Sequence, residues 1–324
     1  MLVPVLLFIV GLICLIKGGD WFVDGAVGIA RRFHLPELLI GATVVSIGTT
    51  LPEVMVSATS ALEGHGEIAY GNAIGSVICN TALIAALTAT VRPGSVRRDT
   101  LRTPVIFFFL AAVIYAVIAY TVGYFNRFVG IGLLILFVIY MVITARQMTR
   151  NPELADEAEE EPGEGKQRTL TVEIVMLVVS SALIALGARL LVDNGTLIAK
   201  ALGVPESVIA LTFVALGTSL PELVTAITSL VKGHSALSLG NVIGANLFNI
   251  VLVSGVSTTL APFPIPQNSL IAGKNASLVM DFPVMFLVML LLTIPTLIRG
   301  KLSRVQGILL LLIYAAFCAV QFTL

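Results

Sequence analysis

An eleven-residue phrase is written twice in this chain: Thr43-Val-Val-Ser-Ile-Gly-Thr-Thr-Leu-Pro-Glu53 returns 169 positions on (43 to 212) as Thr212-Phe-Val-Ala-Leu-Gly-Thr-Ser-Leu-Pro-Glu222. Each copy sits in a long apolar stretch, yet each carries Gly, a hydroxyl pair, Pro and a carboxylate. A proline lacks an amide donor, and its ring crowds the carbonyl four residues back. Pro52 and Pro221 are therefore expected to break their helices and to leave carbonyls near Gly48-Thr49 and Gly217-Thr218 without helical partners, one turn from Glu53 and Glu222. A charged side chain at the centre of a membrane helix costs about 2.5–3.5 kcal/mol even on lenient insertion scales. Snorkelling or pairing with Lys or Arg accounts for one such glutamate more readily than for two in matched places.

The apolar setting is that of a membrane. Over 324 residues only 12% are charged and the mean hydropathy is +1.01, which places the chain among polytopic membrane proteins. The 19 basic and 19 acidic residues cancel, and no basic patch suited to nucleic acid is present. Cys14, Cys79 and Cys318 fall in apolar segments at unrelated spacings, against a disulfide framework or a metal cluster, and read as small buried residues. The N-terminal Met1-Leu-Val-Pro-Val-Leu-Leu-Phe-Ile-Val has no basic region before its apolar run and reads as a first membrane helix instead of a cleaved signal.

A spanning helix needs about 17–25 mostly apolar residues. Charges, Gly and Pro divide the chain into ten such stretches: 2–30, 36–62, 67–90, 103–122, 128–146, 172–200, 205–231, 236–261, 281–298 and 305–323. Between the fifth and sixth, the segment from Arg146 to Thr171 holds Glu153, Asp156, Glu157, Glu159, Glu160, Glu161 and Glu164 with almost no apolar content, so it reads as a solvated linker. A calcium sensor there is the weaker reading, because the run lacks the spaced Asp/Asn and Gly of an EF-hand loop.

The repeat extends well beyond its phrase. At the same offset Gly18 meets Gly187, Asp24 meets Asp193, Pro36-Glu37 meets Pro205-Glu206, Gly64-His65 meets Gly233-His234, Gly71-Asn72 meets Gly240-Asn241, Gly75 meets Gly244, and Asn80 meets Asn249. Five helices per copy is an odd number, so the second copy enters the membrane from the opposite side. The expected fold is an all-α polytopic membrane protein, with ten transmembrane helices as two inverted five-helix repeats. Its divisions are a first repeat over 1–146, an acidic linker over 147–171 and a second repeat over 172–324. Arg and Lys crowd the loops after the odd-numbered helices, leaving only Arg127, Lys200 and Lys274 on the other side. The positive-inside rule then puts both termini outside and the linker in the cytoplasm of a multi-pass cell-membrane protein.

Asn72, Ser76 and Asn80 recur at i, i+4, i+8 and form one polar stripe beside a Gly71/Gly75 groove; Asn241, Ala245 and Asn249 with Gly240 and Gly244 are the counterpart. Amides in membrane helices also serve simply to join helices, and for Asn72 and Asn241 the two readings balance. Inversion brings the two proline-containing segments together near the midplane. Glu53 then faces Glu222, with hydroxyls of Thr49, Thr50, Thr218 and Ser219 and amide oxygens of Asn80 and Asn249 nearby. Such a pocket contains only oxygen, which suits Ca²⁺ with its about 6–8 oxygen ligands. Softer metals prefer His or Cys, and His34, His65 and His234 fall at helix ends. Burying two carboxylates without a cation costs several kcal/mol per ion. An empty site is thus disfavoured in any occluded state, and obligatory exchange follows. Na⁺ is close to Ca²⁺ in size and can use the same oxygens.

Gly48-Thr-Thr-Leu-Pro-Glu53 and Gly217-Thr-Ser-Leu-Pro-Glu222, followed by Gly71-Asn-Ala-Ile-Gly-Ser-Val-Ile-Cys-Asn80 and Gly240-Asn-Val-Ile-Gly-Ala-Asn-Leu-Phe-Asn249, resemble the two alpha-repeats of the sodium/calcium exchanger family, in its compact archaeal and bacterial form. The resemblance implies Na⁺-driven Ca²⁺ transport, with the first and sixth helices sliding past a core. It implies a calcium site from Glu53, Glu222 and the Thr49 and Thr218 backbone, and sodium sites completed by Thr50, Ser76, Asn80, Ser219 and the Ala215 carbonyl. Two positions depart from the archaeal pattern: Ala245 replaces a Ser hydroxyl, and Asn249 replaces an Asp carboxylate. Ca²⁺, Na⁺ and the lipid bilayer are the expected partners, with no cofactor, no nucleic acid and no obligatory protein partner. A proton/calcium or K⁺-dependent antiporter is the alternative, since protonation could also neutralise the glutamates; paired hydroxyls favour sodium, because a proton has no use for them. An enzyme is disfavoured, for there is no His-Glu-x-x-His and no His or Cys converges on the carboxylates.

Overall fold

The computed structural model describes residues 2–150 (149 and 150 by backbone alone), 168–203, 217–267, 270–271 and 273–321. Among them are nine helices long and apolar enough to cross a membrane and one shorter apolar helix. In chain order they are α1 Leu2–Arg32, α2 Glu37–Leu62, α3 Gly66–Val91, α4 Arg98–Thr121, α5 Arg127–Met148, α6 Leu170–Ala201, α7 Leu220–Val231, α8 Ser235–Leu260, α9 Ser277–Arg299 and α10 Arg304–Gln321. The expected spans agree within a few residues, apart from α4 and α9, which begin earlier than their apolar stretches. The acidic stretch over 151–167 and the first half of the seventh expected span lie outside the described residues.

Two antiparallel contacts establish the inversion. Positions Gly11, Gly18 and Gly25 of α1 recur every seventh residue, and so do Gly187, Ser180 and Glu173 of α6. A Cβ on Gly11 would stand 2.9 Å from the Gly187 carbonyl, one on Gly18 3.3 Å from the Ser180 carbonyl, and one on Gly25 3.1 Å from the Glu173 carbonyl. Backbones approach this closely only where side chains are absent, the packing expected when lipid supplies no hydrophobic drive between helices. As α1 advances, α6 recedes: the first helices of the two halves cross in opposite directions. The loops repeat the pattern. Tyr124–Phe125 pairs antiparallel with Phe263–Pro264, linking the α4–α5 and α8–α9 loops, and Ser95 bridges Lys301, linking the α3–α4 and α9–α10 loops. These short β pairings, with another between Leu270–Ile271 and Lys274–Asn275, lie outside the expected all-helical pattern. They satisfy loop amides where chains meet.

Around this frame α8 is central, with 89% of its apolar window buried against 22% for α1. Gly240 approaches the backbone of Leu38, and Gly244 that of Ala42, so the small-residue groove of α8 seats the first half of α2. The matching partner of Gly71 and Gly75 falls outside the described residues. Among the described residues four spanning helices contain a π segment: Gly41–Val45 in α2, Asn80–Ala85 in α3, Asn249–Val253 in α8 and Ser277–Asp281 at the start of α9. Each widens the helix by one residue per turn and loosens its carbonyl ladder, a feature common at functional sites. Ser46 Oγ donates to the Gly41 carbonyl at 2.7 Å and Ser254 Oγ to the Asn249 carbonyl at 3.2 Å, while Tyr140 of α5 donates to the Ala42 carbonyl at 2.9 Å.

The two prolines act differently. The helix containing Pro52 runs unbroken from Ser46 to Leu62, so the proline removes one donor without interrupting the helix. Pro221 sits in the first turn of α7, after three residues in turns, where a missing amide breaks no helical bond. Of the cysteines, Cys79 is buried, whereas Cys14 and Cys318 are only partly so.

Candidate cation site

Glu53 and Glu222 are both fully buried (0% exposed). Glu53 lies near the middle of the 26-residue α2, and Glu222 in the first turn of α7. They are neighbours, and Thr49 and Thr50 lie beside Glu222. The surroundings of the two glutamates are built symmetrically. Helix α2 packs against the π segment that starts at Asn249, and α7 against the one that starts at Asn80. Asn80 and Asn249 are themselves fully buried.

Most of these side chains share one property. Both carboxylate oxygens of Glu53 and of Glu222, both amide atoms of Asn80 and of Asn249, and the hydroxyls of Thr50 and Ser219 are buried and have no hydrogen-bond partner within the protein. Buried polar atoms are paired in the great majority of cases, and a buried unpaired group costs about 1–3 kcal/mol, more when charged. Unpaired buried atoms occur elsewhere, on Thr144, Gln147, Ser238, Asn246 and Thr258, but among the described residues only here do they include two carboxylates. The set is rich in hard oxygen donors. Among the described residues no three His, Cys, Asp or Glu side chains gather, so the other oxygens come from hydroxyl, amide and backbone. That chemistry suits a Group 1 or Group 2 cation.

Thr49 and Thr218 differ from the unpaired set. Thr49 Oγ1 donates to Asn241 Oδ1 at 3.2 Å, and Thr218 Oγ1 to Asn72 Oδ1 at 3.3 Å. Each asparagine thus accepts from the threonine of the opposite half. Their amide nitrogens then donate within their own halves, Asn72 to Ser57 Oγ and Asn241 to Thr225 Oγ1, both at 2.8 Å. Thr225 continues the chain to the Pro221 and Glu222 carbonyls, at 2.9 and 3.0 Å. In the structure Asn72 and Asn241 join the two halves. The hydroxyls of Thr49 and Thr218 are thus tethered across them.

Ser76 is buried and donates to Asn72 Oδ1 at 3.3 Å, one turn from Asn80. Ala245 is fully buried on α8 and provides no side-chain oxygen. Ala215 lies outside the described residues. Sequence reasoning missed Asn246, whose Nδ2 donates to Thr81 Oγ1 at 2.7 Å. Its repeat counterpart is Val77, so a reading by matched positions passes over it. The thiol of Cys79, next to Asn80, adjoins Ser219. His34, His65 and His234 stand at helix ends as expected; His234 caps α8 and meets Glu37 at 2.8 Å. A narrow crevice between α1, α2, α6 and α7 is lined by Phe22, Gly48, Thr49, Pro52, Ser181, Ile184 and Pro221, and so reaches both signature segments.

Known proteins share this arrangement along the whole chain. The profile of the sodium/calcium exchanger protein family matches residues 3–146 and 172–323. The sodium/calcium exchanger MaX1 of Methanosarcina acetivorans is 31% identical, the match covering 98% of both chains. The inner membrane protein YrbG of Escherichia coli is 37% identical over 81% of each chain. A solved structure of the sodium-calcium exchanger NCX_Mj soaked with Na⁺ and Sr²⁺ superposes with a TM-score of 0.82 at 33% identity, covering 98% of both chains. A multi-pass membrane protein with ten helices in two inverted halves, this chain belongs to the sodium/calcium exchanger family.

Proposed function

We propose that the protein is an antiporter that exchanges Na⁺ for Ca²⁺ by alternating access. The observation that carries this reading is the coincidence of unpaired buried oxygens with the duplicated motif: Thr50, Glu53, Asn80, Ser219, Glu222 and Asn249. Glu53 and Glu222 supply the countercharge for Ca²⁺, with the Thr49 and Thr218 carbonyls beside them. Thr50, Ser76, Asn80, Ser219, Asn249 and the Ala215 carbonyl complete the oxygen set for Na⁺. A cation replaces the missing hydrogen-bond partners, so occupied sites can close and the empty site, with two uncompensated carboxylates, resists closure. That asymmetry couples the outward movement of one ion to the inward movement of the other.

In this reading residues 1–146 and 172–324 are the two repeats, and 147–171 is a cytoplasmic linker, with both termini outside. The transporter works in the bilayer with no resident cofactor and no obligatory protein partner. The experiment is Ca²⁺ uptake into sealed vesicles under an imposed Na⁺ gradient, repeated with K⁺ omitted and with a pH gradient imposed. Uptake is expected to follow the Na⁺ gradient and to ignore the other two. Uptake that follows only the pH gradient overturns the reading in favour of proton exchange.

A further inference from the structure

The two halves match in sequence but not in their contacts. Gly19 of α1 lies against α7, where a Cβ would stand 2.7 Å from Val224 and 2.8 Å from Thr228. The 169-residue offset converts that trio into Ala188 on α6 with Met55 and Thr59 on α2. Met55 is 66% exposed, and Thr59 is exposed as well. Helix α1 is thus seated on the second half at one end of the molecule, and α6 leaves its equivalent seat on the first half uncovered at the other. Because the glycine seam holds α1 and α6 together, a state with these contacts exchanged is open to the same architecture.

Charge follows the same asymmetry. Lys232, at the end of α7, reaches α1: its Nζ is 2.6 Å from Asp24 Oδ1 and 3.6 Å from Asp20 Oδ1, and it donates to the Asp20 carbonyl at 2.9 Å. The repeat offset carries Asp20 to Arg189, Asp24 to Asp193 and Lys232 to Glu63. Lys232 and Asp20 have changed sign together, while Asp24 keeps its sign as Asp193. At the Asp20 position an acid of α1 facing a base becomes a base of α6 facing an acid, and attraction survives there. In the structure this second pair is apart. Among the described residues Arg189 reaches only Asp193 of its own helix, at 3.6 Å, with side chains 82% and 61% exposed, against 26% for Lys232. Glu63 is exposed and has no ion-pair partner among the described residues. Two other ion pairs at the Lys232 end do not distinguish the states. Arg32–Glu173 joins α1 to α6 within the moving pair, and His234–Glu37 joins α8 to α2 within the rest.

We propose that these are alternating latches of the transport cycle: Lys232 on Asp20 and Asp24 holds the α1–α6 pair in the state seen here, and Arg189 on Glu63 holds it in the opposite one. The idea rests on the antiport reading for its purpose, but its test requires no transport. A Met55→Cys variant, with Cys14, Cys79 and Cys318 replaced by Ala, is labelled in nanodiscs with a soluble maleimide at the Na⁺ concentration giving half-maximal labelling, where the two states are about equally populated. Losing a partly exposed ion pair of about 1 kcal/mol changes their ratio about fivefold. Lys232→Gln and Asp24→Asn are each expected to slow labelling about threefold, Lys232→Arg to keep the parent rate, and Glu63→Gln added to Lys232→Gln to bring the rate back up. Unchanged labelling in both Lys232→Gln and Asp24→Asn overturns the first latch. Slowing that Glu63→Gln leaves in place overturns the second.

Discussion

At the scale of single residues, the site separates ligands from supports by one criterion, whether a buried polar atom already has a partner. Glu53 and Glu222 have none, so each is expected to carry half of the formal countercharge for Ca²⁺. Glu53→Gln and Glu222→Gln should each abolish Na⁺-driven Ca²⁺ flux, because attraction in a low-dielectric site falls with the charge removed. Both variants should keep or raise their melting temperature, since a neutral amide is cheaper to bury than a carboxylate. Near-parental flux in either one removes it from the mechanism. Asn249 is different: an amide oxygen without charge. Asn249→Ala should retain exchange and raise the apparent KM for Ca²⁺ about tenfold, the scale of one lost bond to a charged group. Asn72 and Asn241 are supports, and Asn241→Leu should act on stability first. It leaves Thr49 and Thr225 short of partners and should cost about 2 kcal/mol, read as a lower unfolding midpoint in detergent.

Elements act through close approach and through helical irregularity. The α1–α6 seam depends on backbone contact at Gly11, Gly18 and Gly187. Gly187→Leu forces a side chain against the Gly11 carbonyl and Cys14, and overpacking of this kind costs about 1–3 kcal/mol. If the two helices move as one body, the same variant should lower the exchange rate more than it lowers ion affinity, which a comparison of kcat with KM for Ca²⁺ uptake resolves. The π segments were not visible in the sequence. Nothing in Gly41-Ala-Thr-Val-Val45 or Asn249-Ile-Val-Leu-Val253 departs from ordinary helical composition. The one in α2 has a tertiary support, Tyr140 of α5 bonding the Ala42 carbonyl.

For the whole molecule, the inverted repeat makes two end states available to one chain, and the residues that break the symmetry decide which is occupied. The acidic stretch is expected to lie outside that machinery. Its composition cannot bury a core, and such segments tolerate deletion. Shortening 153–165 while keeping enough chain to join α5 to α6 should leave Na⁺-driven Ca²⁺ uptake within about twofold of the parent. Loss of a calcium-dependent activation, with transport otherwise intact, instead makes the stretch a sensor.

The duplicated phrase, the odd number of apolar spans in each repeat and the carboxylates set within apolar stretches were enough to determine the inverted ten-helix fold and to point to the candidate oxygen donors. Those features are local or periodic: hydropathy, spacing and repeat offset need no neighbour to be read. The tertiary structure decided what depends on the facing helix. It left Pro52 inside an unbroken helix while placing Pro221 at a helix start, tied Thr49 and Thr218 to asparagines of opposite halves, and brought Asn246 onto Thr81. It also seated α1 on α7 while leaving the equivalent face of α2 open. Two halves with one pattern can occupy two arrangements of nearly equal energy. Which is adopted turns on a few contacts across the repeat, and those form only when the chain is folded.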